Sequence, residues 1–178
     1  LQGIIDMGNL SKLASAPSDP KFEDVIDTLA HEQMHRWGAS IKFKDSANNI
    51  SSALIGKDGL HWSYLLDTDG SLVYGNDWKD DGNGTFTSVS ASKYFSPLDL
   101  YLIGFYDKTQ VPQMLLIDNS SIDPAKLPAI GATISGASKY ITIDDIIAAE
   151  GERIPKSSSS QKTFKTAFIF ITTPGTFT

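Results

Sequence analysis

An α+β fold is expected for this chain, with one helix packed on a mixed or antiparallel sheet and additional short strands and hairpins around it. Three observations point that way. Apolar residues recur at helical spacing between Pro20 and Trp37. Beyond Gly59 the chain breaks into short runs rich in β-branched and aromatic residues, separated by Gly, Asn and Asp. Two further stretches, opening at Ser96-Pro97 and at Thr142, carry helix-start signals. At 178 residues, a single domain over 1–178 is the simplest organisation, and a chain of that size buries about 70% of the surface it exposes when unfolded.

The elements follow in order. Leu1–Met7 is expected as a strand, leading into a Ser/Pro-rich connection. Asp19-Pro20 reads as N-cap and first-turn proline, and Gly38 stands where a helix stops, which gives a helix from about Pro20 to Trp37. Its winding puts Phe22, Val25, Ile26, Leu29, Ala30 and Trp37 on one arc, expected to pack, and His31 and His35 on the opposite arc, expected to line a cleft. The segment Lys42–Gly59, rich in Asn, Ser, Gly and Lys, reads as a long loop rimming that cleft. His61–Leu66 reads as a strand ending at the turn Asp67-Thr68-Asp69-Gly70, with a second strand from about Ser71 to Tyr74. Asp81-Gly82-Asn83-Gly84 marks a hairpin turn. A helix from Pro97 to about Tyr106 opens on a capping box, with Ser96 as N-cap and Asp99 at N3. Strands near Gln113–Ile117, Ala132–Ser135 and Lys139–Ile141 precede a short helix capped by Thr142, with Asp145 at N3 and Gly151 at its end. Ser157–Ser160 is expected as an exposed loop, and Phe164–Thr172 as the last strand.

The chemistry concentrates in His31-Glu32-Gln33-Met34-His35. Residues four apart on a helix lie one above the other, with Cβ atoms about 5–6 Å apart. Two imidazole nitrogens so placed can bind one Zn²⁺ at about 2.0–2.1 Å each. Glu32 then lies beside the metal rather than on it. From there it can take a proton from a water that the metal acidifies and pass it to a leaving amine, which is peptide-bond hydrolysis.

This motif resembles that of the zincin superfamily of zinc metallopeptidases, whose clans differ in the third metal ligand. The metzincin pattern is broken here, since Gly38 is present but Ile41 occupies the ligand position. The gluzincin pattern asks for a glutamate on a later helix, and Glu150 and Glu152 lie far downstream. His61 or Asp99 remains. His61 would bring all three histidines into one site and leave a fourth position for water, as catalytic zinc requires. Asp99 loosely resembles the third ligand of aspzincins, but helix capping explains it as well. Four islands in order, His31 to Trp37, His61-Trp62-Ser63, Gly75-Asn76-Asp77 and Phe95 to Gly104, resemble a poorly characterised group of bacterial secreted HExxH proteins. That group implies a zincin-like catalytic domain, secreted or at the cell surface. Where its members often carry a methionine twelve residues after the HWS histidine, this chain has Val73. Tyr74 or Tyr101 is a candidate donor to the oxyanion.

Composition narrows the partners. A net charge of −6 argues against nucleic acid, and Lys42-Phe43-Lys44 is too small a cluster to reverse it. No apolar run approaches the length of about 20 residues that spans a bilayer. The absence of cysteine rules out disulfides, thiol catalysis and cysteine-ligated zinc. A start at Leu1 is expected of a piece of a longer secreted protein. Asp77, Asp80, Asp81 and Asn83 also invite Ca²⁺, although hairpin-turn chemistry accounts for them more simply. The substrate expected is a protein or peptide. The rival reading is a non-enzymatic bacterial surface or adhesion module with a relic or structural metal site. It leaves the intact Glu32 unexplained, and a structural site fills all four positions with protein ligands.

Overall fold

The computed structural model describes residues 3–91 and 93–171. Among these the fold is α+β, with three α-helices, a mixed six-stranded sheet and a small two-stranded antiparallel sheet. The helices are α1 (Phe22–Met34), α2 (Pro97–Ile103) and α3 (Ile143–Glu150). The small sheet pairs β1 (Phe43–Lys44) with β2 (Ile50–Ser51). The large one contains β3 (Trp62–Asp67), β4 (Tyr74–Gly82), β5 (Thr85–Ser90), β6 (Met114–Asp118), β7 (Thr133–Ser135) and β8 (Ala137–Ile141), in the spatial order β7-β5-β4-β3-β6-β8. The core is built on β3 and its neighbours, where Trp62, Leu66, Val73, Trp78, Phe86 and Ile117 are almost fully enclosed. No helix among the described residues is long and apolar enough to cross a membrane.

Only Gly136 separates β7 from β8, although they stand at opposite ends of the strand order, so the sheet curls until its ends meet. Gly136 N–H donates to the Gly84 carbonyl at 3.0 Å, while Asp118 of β6 pairs with Ala137. A Cβ on Gly136 would stand 2.6 Å from Ile117 Cγ2. The missing side chain is what allows the strand to change partners there.

Local signals account for most elements. The hairpin between β4 and β5 turns through Asn83 (φ 55°) and Gly84 (φ 72°), both left-handed as a tight hairpin turn requires. The capping boxes at Ser96/Asp99 and Thr142/Asp145 are formed as expected. α2 stops at left-handed Gly104 (φ 94°), short of Tyr106. Lys42–Gly59 is more than a loop, since it holds β1, β2 and a 3₁₀ turn at Lys57–Gly59.

Several expectations are corrected. Asp19 Oδ1 accepts from Lys21 N–H at 2.9 Å and the Asp19 carbonyl from Phe22 N–H at 2.9 Å, so Asp19-Pro20 forms a turn ahead of α1 rather than its first turn. At the other end, Gly38 N–H donates to the Met34 carbonyl at 3.0 Å. A Cβ on Gly38 would lie 2.2 Å from Met34 Cε and would push that flexible side chain aside, and it is Ala39 (φ 57°) that turns left-handed. The apolar arc of α1 is covered only in part: Ile26 is 47% exposed, Phe22, Val25, Leu29, Ala30 and Trp37 are half-buried, with Trp37 packed against the core, and Met34 is the helix's buried residue. The histidine side faces the 71–74 segment and the residue before β3, where His31 Nδ1 donates to the Leu72 carbonyl and its ring lies beside His61 and Tyr74.

The segment after Asp67 also departs from a simple hairpin. Residues 71–73 are not a strand, and β4 runs parallel to β3, with Trp62 opposite Tyr74 and Asp67 opposite Asn76. A parallel pair ordinarily needs a long crossover. Here positive φ at Asp69 (53°), Gly70 (94°), Tyr74 (76°) and Gly75 (80°) folds a short connection tightly enough. Neither terminal run forms a strand within 3–7 or 164–171; Leu1, Gln2 and Thr172 lie outside the described residues. Phe168, Ile169 and Ile171 are instead largely exposed, since strand-favouring residues pair only where a neighbour supplies the ladder.

Candidate metal centre

Two parts of the chain bring the histidines together. His31 and His35 come from the last turns of α1, and His61 comes from the residue immediately before β3. His31 Nε2 lies 3.1 Å from His35 Nε2 and 3.2 Å from His61 Nε2. Two nitrogens on one tetrahedral zinc, at about 2.0–2.1 Å each, stand about 3.3 Å apart. Nitrogen atoms of the three rings all lie within 4.8 Å of one another, so the triad could hold a metal ion.

The outer nitrogens of two rings are engaged by backbone. His31 Nδ1 donates to the Leu72 carbonyl at 2.5 Å, and His61 Nδ1 donates to the Lys57 carbonyl at 3.0 Å. A carbonyl can only accept, so each of these nitrogens carries the proton. In the neutral rings both Nε2 atoms therefore present lone pairs, and they face each other at 3.2 Å with no proton between them. Two lone pairs at that distance repel unless a cation lies between them. Such carbonyl contacts are also what fixes the tautomer and aim of metal-ligating histidines. His35 Nδ1 is buried without a hydrogen-bond partner, although the Leu60 backbone acts on its ring. Burial holds His35 and His61 below the ordinary histidine value, and the neighbouring histidines push the same way. Both are thus kept in the neutral form that binds metal.

Tyr74 completes the pocket. Its ring stacks on His61, with centroids 4.3 Å apart and planes 17° apart, and lies 5.5 Å from the His31 ring. A bulky residue at φ 76° is a backbone outlier, and such strain persists where surrounding structure imposes it. Glu32, next to His31, is exposed, and its charge acts on His35. It stands beside the triad and not within it.

The other candidates are placed elsewhere. Asp99 is fully buried, and its carboxylate accepts from Trp62 Nε1, Ser71 Oγ and Ser96 N–H, so it is no part of the histidine triad. Glu150 accepts from Lys42 N–H at 2.7 Å. Tyr101 is buried, with its hydroxyl accepting from Arg153 N–H at 3.2 Å, which leaves Tyr74 as the tyrosine at the site. Asp77, Asp80, Asp81 and Asn83 do not gather as a calcium site would require. Asp80 accepts from Gly82 N–H and Asp81 from Lys79 and Thr87, while Asp77 gathers instead with Asp67 and Asp69, a partly exposed acidic group whose oxygens lie close enough to hold a cation. Val73 is enclosed in the core, and its carbonyl accepts from Trp62 N–H at 2.9 Å. Sequence reasoning missed the carbonyls of Leu72 and Lys57. No residue-type signal could have found them, because a backbone acceptor has none.

Compared with known protein families, curated proteins and solved structures, the chain has no match in any of the three.

Proposed function

We propose that this chain is a zincin-like, zinc-dependent metallopeptidase in which His31, His35 and His61 hold the metal and Glu32 is the general base. The observation that carries this reading is the pair of facing Nε2 lone pairs on His31 and His61, whose outer nitrogens are held by carbonyls. Three imidazole ligands suit zinc among divalent ions and would leave a position for water. When bound, zinc supplies Lewis acidity, acidifying water and polarising a carbonyl.

The chain's own residues do the rest. Glu32 takes the proton of the attacking water and delivers it to the departing amine, remaining free for both tasks because it is exposed and outside the triad. His31 and His61 are oriented by the Leu72 and Lys57 carbonyls. Tyr74 braces His61 by stacking and, of the two candidate oxyanion donors, is the one that stands at the triad, Tyr101 being engaged with Arg153. The substrate is a protein or peptide, a reading that rests on the His31-Glu32-Gln33-Met34-His35 motif, and the setting is a bacterial surface or secretion, which rests on the resemblance of the four sequence islands. Purified protein should contain about one zinc per chain and cleave a fluorogenic peptide library. Glu32→Gln should keep the zinc and lower turnover about 10²–10⁴-fold. Full turnover in that variant would remove Glu32 from the mechanism.

A further inference from the structure

The buried carboxylate of Asp99 does more than cap a helix. Capping needs only the exchange with Ser96, in which Asp99 Oδ2 accepts from Ser96 N–H at 2.8 Å and Ser96 Oγ accepts from Asp99 N–H at 3.1 Å. The equivalent box on α3 works this way: among the described residues the Asp145 carboxylate bonds only Thr142, and Asp145 remains half-buried. Asp99 is fully enclosed and takes two additional donors from distant segments. These are Trp62 Nε1 at 2.9 Å, 37 residues away, and Ser71 Oγ at 2.7 Å, 28 residues away. Burying a carboxylate costs several kcal/mol unless its oxygens are satisfied, and a helix cap alone does not call for that burial.

Both additional donors adjoin the metal centre. Trp62 follows His61, and Ser71 precedes Leu72, whose carbonyl receives His31 Nδ1–H. The two segments are also tied to each other: Trp62 N–H donates to the Val73 carbonyl at 2.9 Å, and Ser71 Oγ accepts from Val73 N–H at 3.1 Å. Beyond Val73 comes Tyr74, stacked on His61. One carboxylate thus clamps the strand start that carries His61 to the loop that aims His31. The separation it governs is the 3.2 Å between their Nε2 atoms. Metal–ligand distances in genuine sites fall within about 0.2 Å of their standard values.

We propose that Asp99 is a positioning residue for the metal centre: through Trp62 and Ser71 it sets the spacing of His61 and His31 and so preorganises the site for a divalent ion. The proposal rests on the metal reading above. The test is a Co²⁺ titration of the whole chain, read by the visible absorption of the bound ion, alongside thermal unfolding of the metal-free protein. Trp62→Phe, Ser71→Ala and Asp99→Asn are compared with Ser96→Ala, which removes the cap hydroxyl and leaves the Trp62 and Ser71 bonds in place. Trp62→Phe and Asp99→Asn are expected to weaken Co²⁺ binding about 10–100-fold, the range for groups that orient ligands, and to change the four-coordinate absorption band. Ser96→Ala should lower the unfolding temperature while keeping affinity and spectrum. If Asp99→Asn fails to fold, Trp62→Phe and Ser71→Ala carry the comparison, since each keeps the carboxylate. Wild-type affinity and spectrum in those folded variants would overturn the proposal alone. Absence of Co²⁺ binding by the unaltered protein would overturn the metal reading and this proposal with it.

Discussion

Replacing His61 by alanine separates the metal reading from a purely structural one, because the two terms it removes have different sizes. In the metal-free protein the variant loses the stack on Tyr74, with centroids 4.3 Å apart, and the hydrogen bond to the Lys57 carbonyl at 3.0 Å. Each is worth about 1 kcal/mol. It also relieves the repulsion at His31 Nε2, 3.2 Å away, which offsets part of that loss. The net cost is at most about 2 kcal/mol, or about 4–8 °C in Tm for a domain of this size. The metal-linked term is larger. A site held at a thousand times its Kd gains about 4.1 kcal/mol, an upward shift of about 8–16 °C. Losing one of three ligands should weaken binding at least about 100-fold, which leaves about 1.4 kcal/mol and a shift of about 3–6 °C at the same zinc concentration. Calorimetric scans with and without zinc, on parent and variant, measure both terms. A zinc-induced shift as large in His61→Ala as in the parent would refute His61 as a ligand and leave its position an accident of packing.

Three further outcomes are expected. Burial raises the Asp67 carboxyl to about 6, with the charges of Asp69 and Asp77 adding to the effect. A carboxyl raised in the folded state binds its proton more tightly there than when unfolded, so its contribution is favourable below about pH 4 and is lost as pH climbs through 6. Discounted for its solvent contact, Asp67→Asn should stabilise the protein by about 1–2 kcal/mol at pH 7 and hardly at all at pH 4, as urea midpoints at the two values will report. Burial holds His35 and His61 below the ordinary histidine value, so protons compete less well for these two rings, and dialysis over a pH series should show zinc released only on the acid side of the ordinary histidine range; release already above that range would contradict the lowered values. A Cβ on Gly56 would stand 2.3 Å from the Pro124 carbonyl and 3.0 Å from Ser63 Cα, both backbone atoms that cannot swing aside. Gly56→Ala should therefore cost more than about 2 kcal/mol in thermal denaturation, and a neutral result would show the loop to be looser than its packing implies.

What could be read from residue order was whatever depends on neighbours in the chain. The capping boxes at Ser96 and Thr142, the Asn83-Gly84 turn and the helical stacking of His31 on His35 are all set within a few residues, and all are formed. Pairings between distant segments were not legible. Which face of α1 packs, the parallel course of β4 beside β3 and the absence of a strand at 164–171 depend on what each segment meets in space. The candidate site divides the same way. Its imidazoles were visible as residue types, and His61 could be named because the chain has only three histidines. The carbonyls of Leu72 and Lys57 that orient two of them belong to the backbone, which every residue shares. The second role of Asp99 was hidden because its capping pattern is complete within four residues. Its bonds to Trp62 and Ser71 exist only once β3, the 71–73 loop and α2 have been folded against one another.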